Sequence, residues 1–392
     1  MPEPPKSDGA KPLRPALFLD RDDTLVSDEG YVGDPSRIRP LSCAAGAVRA
    51  ARAGGFALYL VTNQSGIGRG FYTMDDAVAC NRRLEELLFG PGRRGFDGVC
   101  IAPERPDEPS RYRKPSPAYL LERIAEDSLD PALCFMIGDK VSDLLCGIDA
   151  GVHPMLVARG ASGSPRPDAA AFAAERGVPV FRDVAAAVES AVSTALLSRA
   201  RAGDEGALAQ LCESCRKSVC AYLSGSGLVS QDEAEDVFMD AFLRARRAIL
   251  SYQGGASFAT WLTAIARNLA LDRRRTDANR PVLALDADTG SAGSASEPSL
   301  SRDFAFPAPS EAPVPGEDMD EEARNAIVRN ALLELPGKTR EALVMYHLRD
   351  KSYAEISKVL GIPIGTVMSR IHNGRKALAR RLGPHLRDFG FG

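Results

Sequence analysis

The chain has 392 residues, of which 44% are apolar and 26% are charged, and its formal net charge is −3. This composition is typical of a soluble globular protein, and the length predicts two or three domains. No stretch reaches the roughly 20 apolar residues of a membrane span, and the Pro-rich start lacks the apolar core of a signal peptide. The eight cysteines show no disulfide-like spacing. We therefore expect a cytoplasmic chain with reduced thiols and no membrane partner.

Short apolar segments alternate with helical segments through the first half of the chain. The predicted strands are residues 16–20, 56–62, 98–102, 134–138, 155–158 and 178–181. The predicted helices are residues 44–53, 74–88, 116–124, 143–150 and 184–197. Strands that alternate with helices indicate parallel pairing, so this half predicts an α/β domain with a doubly wound parallel sheet.

Only helical patterns follow, and one polar segment interrupts them. This segment, residues 277–322, is rich in Ala, Ser, Asp and Pro and has few large apolar residues, which predicts a flexible linker. The fold class is therefore multidomain, with the α/β domain followed by two all-α domains. The predicted boundaries are a disordered tail at 1–13, the α/β domain at 14–195, a helical bundle at 196–276, the linker at 277–322 and a last helical domain at 323–385.

Polar residues follow the predicted strands at their carboxyl ends, where open α/β sheets bind ligands. Asp20 and Asp22 follow the first strand. One carboxylate can attack phosphorus, the other can protonate the leaving oxygen, and the pair suits Mg²⁺. Alone, two acids at this spacing can equally be a solvated turn. Three later groups favour a phosphoryl-transfer site, and they are residues 62–65, 113–115 and 138–140.

Together these four groups resemble the haloacid-dehalogenase (HAD) phosphatases. Residues 18–22, 30–32, 61–70 and 138–140 look like the branch of D-glycero-D-manno-heptose 1,7-bisphosphate 7-phosphatase and histidinol phosphatase. The resemblance implies that Asp20 is the nucleophile, that Asp22 is the acid/base, and that Asp20, Asp139 and the backbone carbonyl of Asp22 bind Mg²⁺. It also implies that a phosphorylated sugar contacts Asp28, Glu29, Gly30, Tyr31, Thr62, Asn63, Gln64, Ser65, Arg113, Lys114 and Lys140.

Two positions depart from this family. The family has a zinc-binding Cys/His loop between its second and third motifs, and zinc is not expected here because the matching positions are Ala102, Glu104, Ser110 and Tyr112. Asp23 stands where the family usually has glycine. An extra carboxylate there predicts repulsion of an anionic substrate and a raised pKa of Asp20 or Asp22.

An acidic, amphipathic helix is predicted over residues 232–248, and a second helix with a basic end is predicted from residue 258 to residue 275. Taken separately, each of these two helices is adequately interpreted as an ordinary amphipathic surface helix. In this order they resemble region 2 of extracytoplasmic-function (ECF) sigma factors, which implies docking on the β′ coiled coil of RNA polymerase and recognition of the −10 promoter element. Trp261 fits this role or a core position equally well. The DNA-binding candidates are Trp261, Arg267, Asn268, Arg273, Arg274 and Arg275.

A helix-turn-helix is predicted over residues 352–376. Ser352 and Glu355 form a capping-box pattern, residues Ala354, Ile356 and Leu360 are expected in the core, and Gly361 makes the turn. Residues 351–382 carry seven Lys or Arg and one acid, which suits phosphate backbones. The segment resembles sigma region 4, which implies contact with the −35 element of promoter DNA and the β flap of core polymerase. The candidates are Thr366, Ser369, Arg370, Asn373, Arg375 and Lys376.

Cys212 and Cys215, with Cys220 nearby, suggest either a zinc or redox site or small buried helix residues. No histidine accompanies them, and the four histidines of the chain form no cluster. Buried helix residues are the favoured interpretation.

Three hypotheses for the whole chain remain open from the sequence. In the first, an active sugar phosphatase is linked to a sigma factor. In the second, the phosphatase-like domain senses a phosphorylated ligand and gates the sigma half. In the third, the chain is a metabolic phosphatase with a degenerate helical tail.

Overall fold

The computed structural model describes residues 13–27, 30–158, 163–254, 257–278, 321–349 and 352–383. The chain forms two compact units, Met1–Gly203 and Asp204–Gly392. The predicted tail 1–13, apart from Leu13, and the predicted linker 277–322, apart from its ends, lie outside the described residues. The substrate-contact predictions for Asp28 and Glu29 also lie outside them.

The first unit contains, within its described residues, a six-stranded parallel sheet. Its strands are β1 (Arg14–Leu19), β2 (Ala57–Asn63), β3 (Gly98–Ala102), β4 (Leu129–Gly138), β5 (His153–Val157) and β6 (Val180–Phe181). The strand order is β3-β2-β1-β4-β5-β6. Winding therefore reverses between β1 and β4, and a ligand crevice is expected where the carboxyl ends of these two strands diverge. The predicted doubly wound parallel sheet is confirmed.

Helices cover both faces of this sheet. They are α1 (Ala44–Ala53), α2 (Ser65–Gly68), α3 (Met74–Phe89), α4 (Ala118–Glu126), α5 (Val141–Asp149), α6 (Pro167–Arg176) and α7 (Val184–Arg201). Leu17 and Leu19 of β1 share a core with residues of α1, α3 and α7. Ala16 and Phe18 share a second core with residues of α4 and α5. Burial of both faces explains why β1 is a continuous apolar run, and each fully buried Leu contributes about 1.5–3 kcal/mol.

The second unit is helical throughout its described residues. Its helices are α8 (Glu205–Gly225), α9 (Gln231–Ala248), α10 (Phe258–Ala278), α11 (Glu321–Leu333), α12 (Gly337–Arg349), α13 (Tyr353–Leu360) and α14 (Ile364–Leu382). Helices α8, α9 and α10 contact one another, and so do α12, α13 and α14. The two predicted all-α domains are thus confirmed as folds. None of the described helices is both long and apolar enough to cross a membrane.

Helices α13 and α14 form the predicted helix-turn-helix. The Ser352 hydroxyl accepts a hydrogen bond from the Glu355 backbone N–H, and the Glu355 side chain accepts one from the Ser352 N–H. Gly361 ends α13 with φ 64°, a left-handed conformation that favours glycine. Ile356 and Leu360 are buried as predicted. The prediction for Ala354 was wrong: it is exposed, because a residue two positions from Ile356 lies on the opposite helix face.

Cys212 and Cys215 are buried on α8. Burial raises the pKa of Cys212 to about 12, which keeps this thiol protonated at neutral pH. The geometry therefore agrees with the interpretation of these cysteines as packed helix residues.

Candidate functional site

The two acids after β1 lie in the crevice at the winding reversal. Asp20 is buried, and its Oδ1 accepts a hydrogen bond of 2.6 Å from Lys114 Nζ. Lys140 Nζ lies 3.9 Å from Asp20 Oδ2. Burial alone would raise the pKa of Asp20, but the charges of Lys114 and Lys140 outweigh it and hold this pKa below its ordinary value. Asp20 is therefore ionised at neutral pH, as a nucleophile must be.

Lys114 connects two buried carboxylates. Its Nζ lies 2.7 Å from Asp143 Oδ1 and also donates to the Val61 carbonyl. The backbone of Lys114 is held by Asn63, whose side chain accepts from the Lys114 N–H and donates to the Lys114 carbonyl, both at 3.0 Å. Burial would lower the pKa of Lys114, but Asp143 and Asp20 raise it. The lysine is thus a fixed cation between the two acids.

Three carboxylates form a group that can hold a cation. Oxygens of Asp20, Asp139 and Asp143 lie within 4.8 Å of one another. Asp20 Oδ2 and Asp139 Oδ1 are buried and make no hydrogen bond, and Lys140 Nζ lies 3.9 and 3.6 Å from them, so each oxygen can still accept a closer ligand. An oxygen-only donor set suits a hard divalent cation such as Mg²⁺. The residues present therefore fit the metal that the resemblance implies.

Burial raises the pKa of Asp139 to about 6, and the nearby Asp20 charge adds to this effect while Lys140 opposes it. A cation between these acids would reverse the shift. Gly138 is required by the same packing, because a Cβ at that position would lie 2.3 Å from Asp143 Oδ2.

Asp22 occupies a separate, hydrogen-bonded environment. Arg21 Nε donates to Asp22 Oδ1 at 2.9 Å, and Gln64 Nε2 donates to Asp22 Oδ2 at 2.8 Å. Arg21 is only 1% exposed and also donates to Asn81 Oδ1 and Gln64 Oε1. A buried guanidinium and an amide therefore fix the direction of the predicted acid/base.

Three of the predicted phosphate-binding residues, at the end of β2 and directly after it, hold other side chains of the site in place. Gln64 Nε2 donates to Thr62 Oγ1, and Gln64 Oε1 accepts from the Tyr72 hydroxyl at 2.6 Å. Ser65 is the first residue of α2, adjacent to this network. Thr62 and Gln64 therefore support Asp22, while Asn63 supports Lys114. Substrate contact by Thr62, Asn63, Gln64 and Ser65 remains a prediction.

Aromatic and basic side chains lie at the rim. Tyr31 is 50% exposed, and its ring meets the Phe71 ring edge-on at a centroid distance of 4.8 Å. Gly30, just before it, has φ 74°. Arg113 donates to the Glu104 carbonyl, and partial burial, together with Arg69, lowers the Arg113 pKa although Glu104 opposes this. The substrate-contact roles of Gly30, Tyr31, Arg113, Lys114 and Lys140 also remain predictions.

Asp23 is ion-paired: Arg166 NH2 lies 3.0 Å from Asp23 Oδ2. The expectation of a raised pKa was wrong for Asp20, because the charges of Lys114 and Lys140 outweigh the effect of burial and lower this pKa. At the positions of the family's zinc loop, Ser110 donates to Glu104 and Tyr112 donates to Glu122. Cys100 is buried, which raises its pKa to about 11.

Several residues at this site were not predicted to be functional. Asp143 lies four residues after Asp139 on the next helix, a spacing that could have identified it. Arg21 lies within the Asp20–Asp22 motif, but its partner Asn81 is 60 residues away. Arg166 comes from the loop before α6 and belongs to no recognisable motif.

In the second unit, the predicted −10-reading residues differ in environment. Trp261 packs against Tyr252 and Phe258, with ring centroids 5.2 and 5.6 Å away, and is half-buried. Asn268 and Arg274 are exposed. Arg273 pairs with Asp240 at 2.5 Å, and Arg275 pairs with Asp272 at 3.3 Å. These residues line α10, but nothing here brings them onto a ligand, so DNA contact remains a prediction.

Arg267 takes part in an internal network instead. Its guanidinium pairs with Glu341 of α12, and Glu341 Oε1 also accepts from the fully buried Tyr222 hydroxyl at 2.7 Å. The network joins α8, α10 and α12. Contact of Arg267 with DNA remains a prediction.

Removal of the Glu341 charge is expected to destabilise the second unit. We predict that Glu341→Gln lowers the free energy of unfolding by about 2 kcal/mol, because Tyr222 and Arg267 would then donate to a neutral amide oxygen and no longer to a carboxylate. Trp261 is the only tryptophan, so its fluorescence during urea unfolding of the full chain reports this unit. The control is Glu334→Gln, which removes an ion pair with Arg381 from an acid that is 67% exposed and should cost less than about 1 kcal/mol. Equal midpoints for both variants would contradict the prediction.

The predicted −35-reading residues share one face of α14, with one exception. Ser369, Asn373 and Lys376 are exposed, and Thr366 and Arg370 are half-buried at the same helical spacing. Arg375 instead lies over the Tyr346 ring, 4.7 Å from its centroid, and donates to His347. The structure thus brings five of the six candidates onto one side. Their contact with DNA remains a prediction.

Comparison with known proteins assigns both units. A HAD-hydrolase-like model matches residues 111–187, a sigma-70 region 2 model matches 211–280, and a sigma-70 region 4 model matches 325–378. D-glycero-beta-D-manno-heptose-1,7-bisphosphate 7-phosphatase of Helicobacter pylori is 38% identical over 142 residues, which are 36% of this chain and 82% of that protein. The ECF RNA polymerase sigma factor SigW of Bacillus subtilis is 33% identical over 192 residues, 47% of this chain and 94% of that protein.

Among solved structures, D,D-heptose 1,7-bisphosphate phosphatase from B. bronchiseptica, complexed with magnesium and phosphate, is similar with 27% identity and a TM-score of 0.38. The similarity covers 45% of this chain and 97% of that one. The sequence relatives decide the assignment. The chain belongs to two families, as a fusion of a HAD-type phosphomonoester hydrolase related to heptose bisphosphate phosphatases with an ECF sigma factor.

Proposed function

We propose that the first unit hydrolyses a sugar phosphate with Mg²⁺ and that the second unit directs core RNA polymerase to promoters in the cytoplasm. The observation that carries the first part is the buried Asp20 carboxylate, which lies 2.6 Å from Lys114 Nζ and forms a cation-binding group with Asp139 and Asp143. The ion pair with Arg166 offsets the negative charge of Asp23, and this favours a hydrolase over a ligand sensor.

The residues around Asp20 support a two-step reaction. The Asp20 carboxylate attacks phosphorus and forms an aspartyl-phosphate, while Asp22 protonates the leaving sugar oxygen. Asp22 then takes a proton from the water that attacks the aspartyl-phosphate and releases phosphate. Lys114 and Lys140 stabilise the charge of the phosphoryl oxygens. A bound Mg²⁺, held by Asp20, Asp139 and the Asp22 carbonyl, would neutralise further negative charge in the transition state.

The substrate proposed from the relatives is a heptose 1,7-bisphosphate. The test measures phosphate release by the full chain from both anomers of D-glycero-D-manno-heptose 1,7-bisphosphate, from histidinol phosphate and from a panel of sugar monophosphates. We expect phosphate release from a heptose bisphosphate to depend on Mg²⁺ and to stop when a chelator is added. Release from another sugar phosphate alone would change the substrate, and no release from any of them would overturn the hydrolase proposal.

For the second unit, we propose that α9 docks on the β′ coiled coil and that region 4 binds the β flap. The outer side of α9 combines acids with the exposed apolar side chains Met239 and Leu243. Helix α10 would read the −10 element, and α14 would read the −35 element in the major groove. Five polar candidate residues lie on one side of α14, and this arrangement carries the proposal. It argues against the hypothesis that the helical half is a degenerate tail.

Two arginines of α14 provide a matched pair for the test. Arg370 lies on the proposed DNA-facing side, whereas Arg375 lies over Tyr346. We expect Arg370→Ala to weaken binding of a −35-containing promoter by the polymerase holoenzyme by about 1–3 kcal/mol. Arg375→Ala should change it by less than about 1 kcal/mol. Equal effects of both substitutions on promoter affinity, measured by fluorescence anisotropy, would contradict the assigned face.

A further inference from the structure

One arginine bridges two carboxylates at the edge of the candidate metal site. Arg166 precedes α6, and its Nε donates to Asp139 Oδ2 at 2.5 Å while its NH2 lies 3.0 Å from Asp23 Oδ2. The side chain of Arg166 is 27% exposed, that of Asp23 is 17% exposed, and that of Asp139 is fully buried. The guanidinium therefore joins the end of β4 to the loop after β1.

The two oxygens of Asp139 have different partners. Oδ2 accepts a hydrogen bond from Arg166, whereas Oδ1 is buried without a hydrogen bond and lies 3.6 Å from Lys140 Nζ. Asp20 Oδ2 also lacks a hydrogen bond and lies 3.9 Å from the same Lys140 Nζ. A carboxylate can rotate and exchange its oxygens. The contact with Arg166 fixes the orientation in which Oδ1 lies near Lys140 together with Asp20 Oδ2, where a divalent cation would bind.

Asp23 is held rigidly enough to position Arg166. Its φ is 61°, in the left-handed region, and its N–H donates to the Val26 carbonyl at 2.8 Å. Aspartate adopts this conformation more readily than most residues with a side chain. A glycine here would fit the backbone equally well but would leave Arg166 without its second carboxylate. The ion pair with Arg166 therefore gives the Asp23 carboxylate a structural role that a glycine could not fill.

We propose that Arg166, anchored by Asp23, is a positioning residue that orients Asp139 as a ligand for the divalent cation. This inference rests on the cation site of the proposed function. Removal of a group that hydrogen-bonds to a metal ligand commonly lowers the metal affinity by about 10- to 100-fold. Arg166 would act in this way, through Asp139 and without contacting the cation or the substrate.

The test measures Mg²⁺ affinity of the full chain in phosphate-free buffer, through competition with Mn²⁺ whose free fraction is read by EPR. The variants are Arg166→Gln, Asp23→Asn and the double substitution. The control is Arg176→Gln at the far end of α6, an exposed arginine outside the site. We expect Arg166→Gln to weaken Mg²⁺ binding about 10- to 100-fold. We expect Asp23→Asn to weaken it less, and to add nothing in the Arg166→Gln background because Asp23 acts through Arg166.

The direction of the change in Mg²⁺ affinity distinguishes positioning of Asp139 by Arg166 from a purely electrostatic effect of the arginine charge. Loss of a cation near the site would by itself strengthen Mg²⁺ binding, so equal or tighter binding by Arg166→Gln would overturn the inference while leaving the hydrolase proposal intact. No saturable Mg²⁺ binding by the unsubstituted chain would overturn the cation site and this inference together. If Arg166→Gln does not fold, Arg166→Lys decides. Lysine keeps the positive charge but cannot contact Asp139 and Asp23 at the same time with two nitrogens. Unchanged Mg²⁺ affinity of Arg166→Lys would therefore count against the inference.

Discussion

Asp20→Asn is expected to reduce Mg²⁺-dependent phosphate release by a factor of about 10⁴ or more, because removal of a covalent nucleophile eliminates the step on which the reaction depends. Asparagine has nearly the same shape, so the fold should persist. Phosphate release from the best substrate of the panel provides the measurement, and circular dichroism verifies folding.

The matched control for this variant is Asp149→Asn, which changes an exposed acid at the end of α5. This control should keep the full rate. A folded Asp20→Asn variant that retains more than about a hundredth of the activity would contradict the role of Asp20 as nucleophile.

Lys114→Met is expected to cause the largest loss of stability in the first unit, about 3–5 kcal/mol, because Asp20 and Asp143 would be left buried without their shared cation. Differential scanning calorimetry of the full chain in the presence of a chelator measures the loss, since a bound divalent cation would partly replace the lysine. Trp261 fluorescence identifies the transition of the second unit, so the remaining transition belongs to the first.

Lys140→Met is the control for charge removal at the same site. The Lys140 side chain is 38% exposed, and its Nζ lies 3.6 Å from Asp139 Oδ1 and 3.9 Å from Asp20 Oδ2, too far for a hydrogen bond to either. Because these contacts are longer than those of Lys114 and solvent reaches the lysine, we expect a loss below about 1 kcal/mol. A loss from Lys114→Met no larger than that from Lys140→Met would mean that Lys114 does not hold the two acids together.

The sheet could be predicted because a parallel strand with both faces covered is a nearly unbroken apolar run, as in β1 and β2. The start of β4 at Leu129 was missed because Asp130 and Pro131 are typical of a turn. Helix α6 was missed because its buried residues are alanines, Ala169 and Ala173, which give a weak apolar pattern. Local sequence therefore identified the elements with strong periodicity and failed where packing depends on small residues.

The candidate site shows a similar division. Asp20, Asp22, Asp139 and Lys140 could be predicted because each lies at the end of a strand, where the fold brings such ends together. The Arg166–Asp23 pair spans 143 residues, and the Tyr222–Glu341 bond spans 119. No local pattern relates such partners, since their contact depends on how distant segments pack. The same packing gives Arg267 and Arg375 partners within the protein, Glu341 and Tyr346, that no local pattern indicated.

The central claim is that one chain joins a phosphatase to a working promoter reader, and in vitro transcription tests it most directly. The full chain would be added to core RNA polymerase with a library of genomic promoter fragments, and the 5′ ends of the transcripts would be sequenced. We predict a set of defined start sites, preceded by shared −10 and −35 elements, that depends on the chain and weakens with Arg370→Ala but not with Asp20→Asn. Start sites no different from those of core polymerase alone would contradict the account.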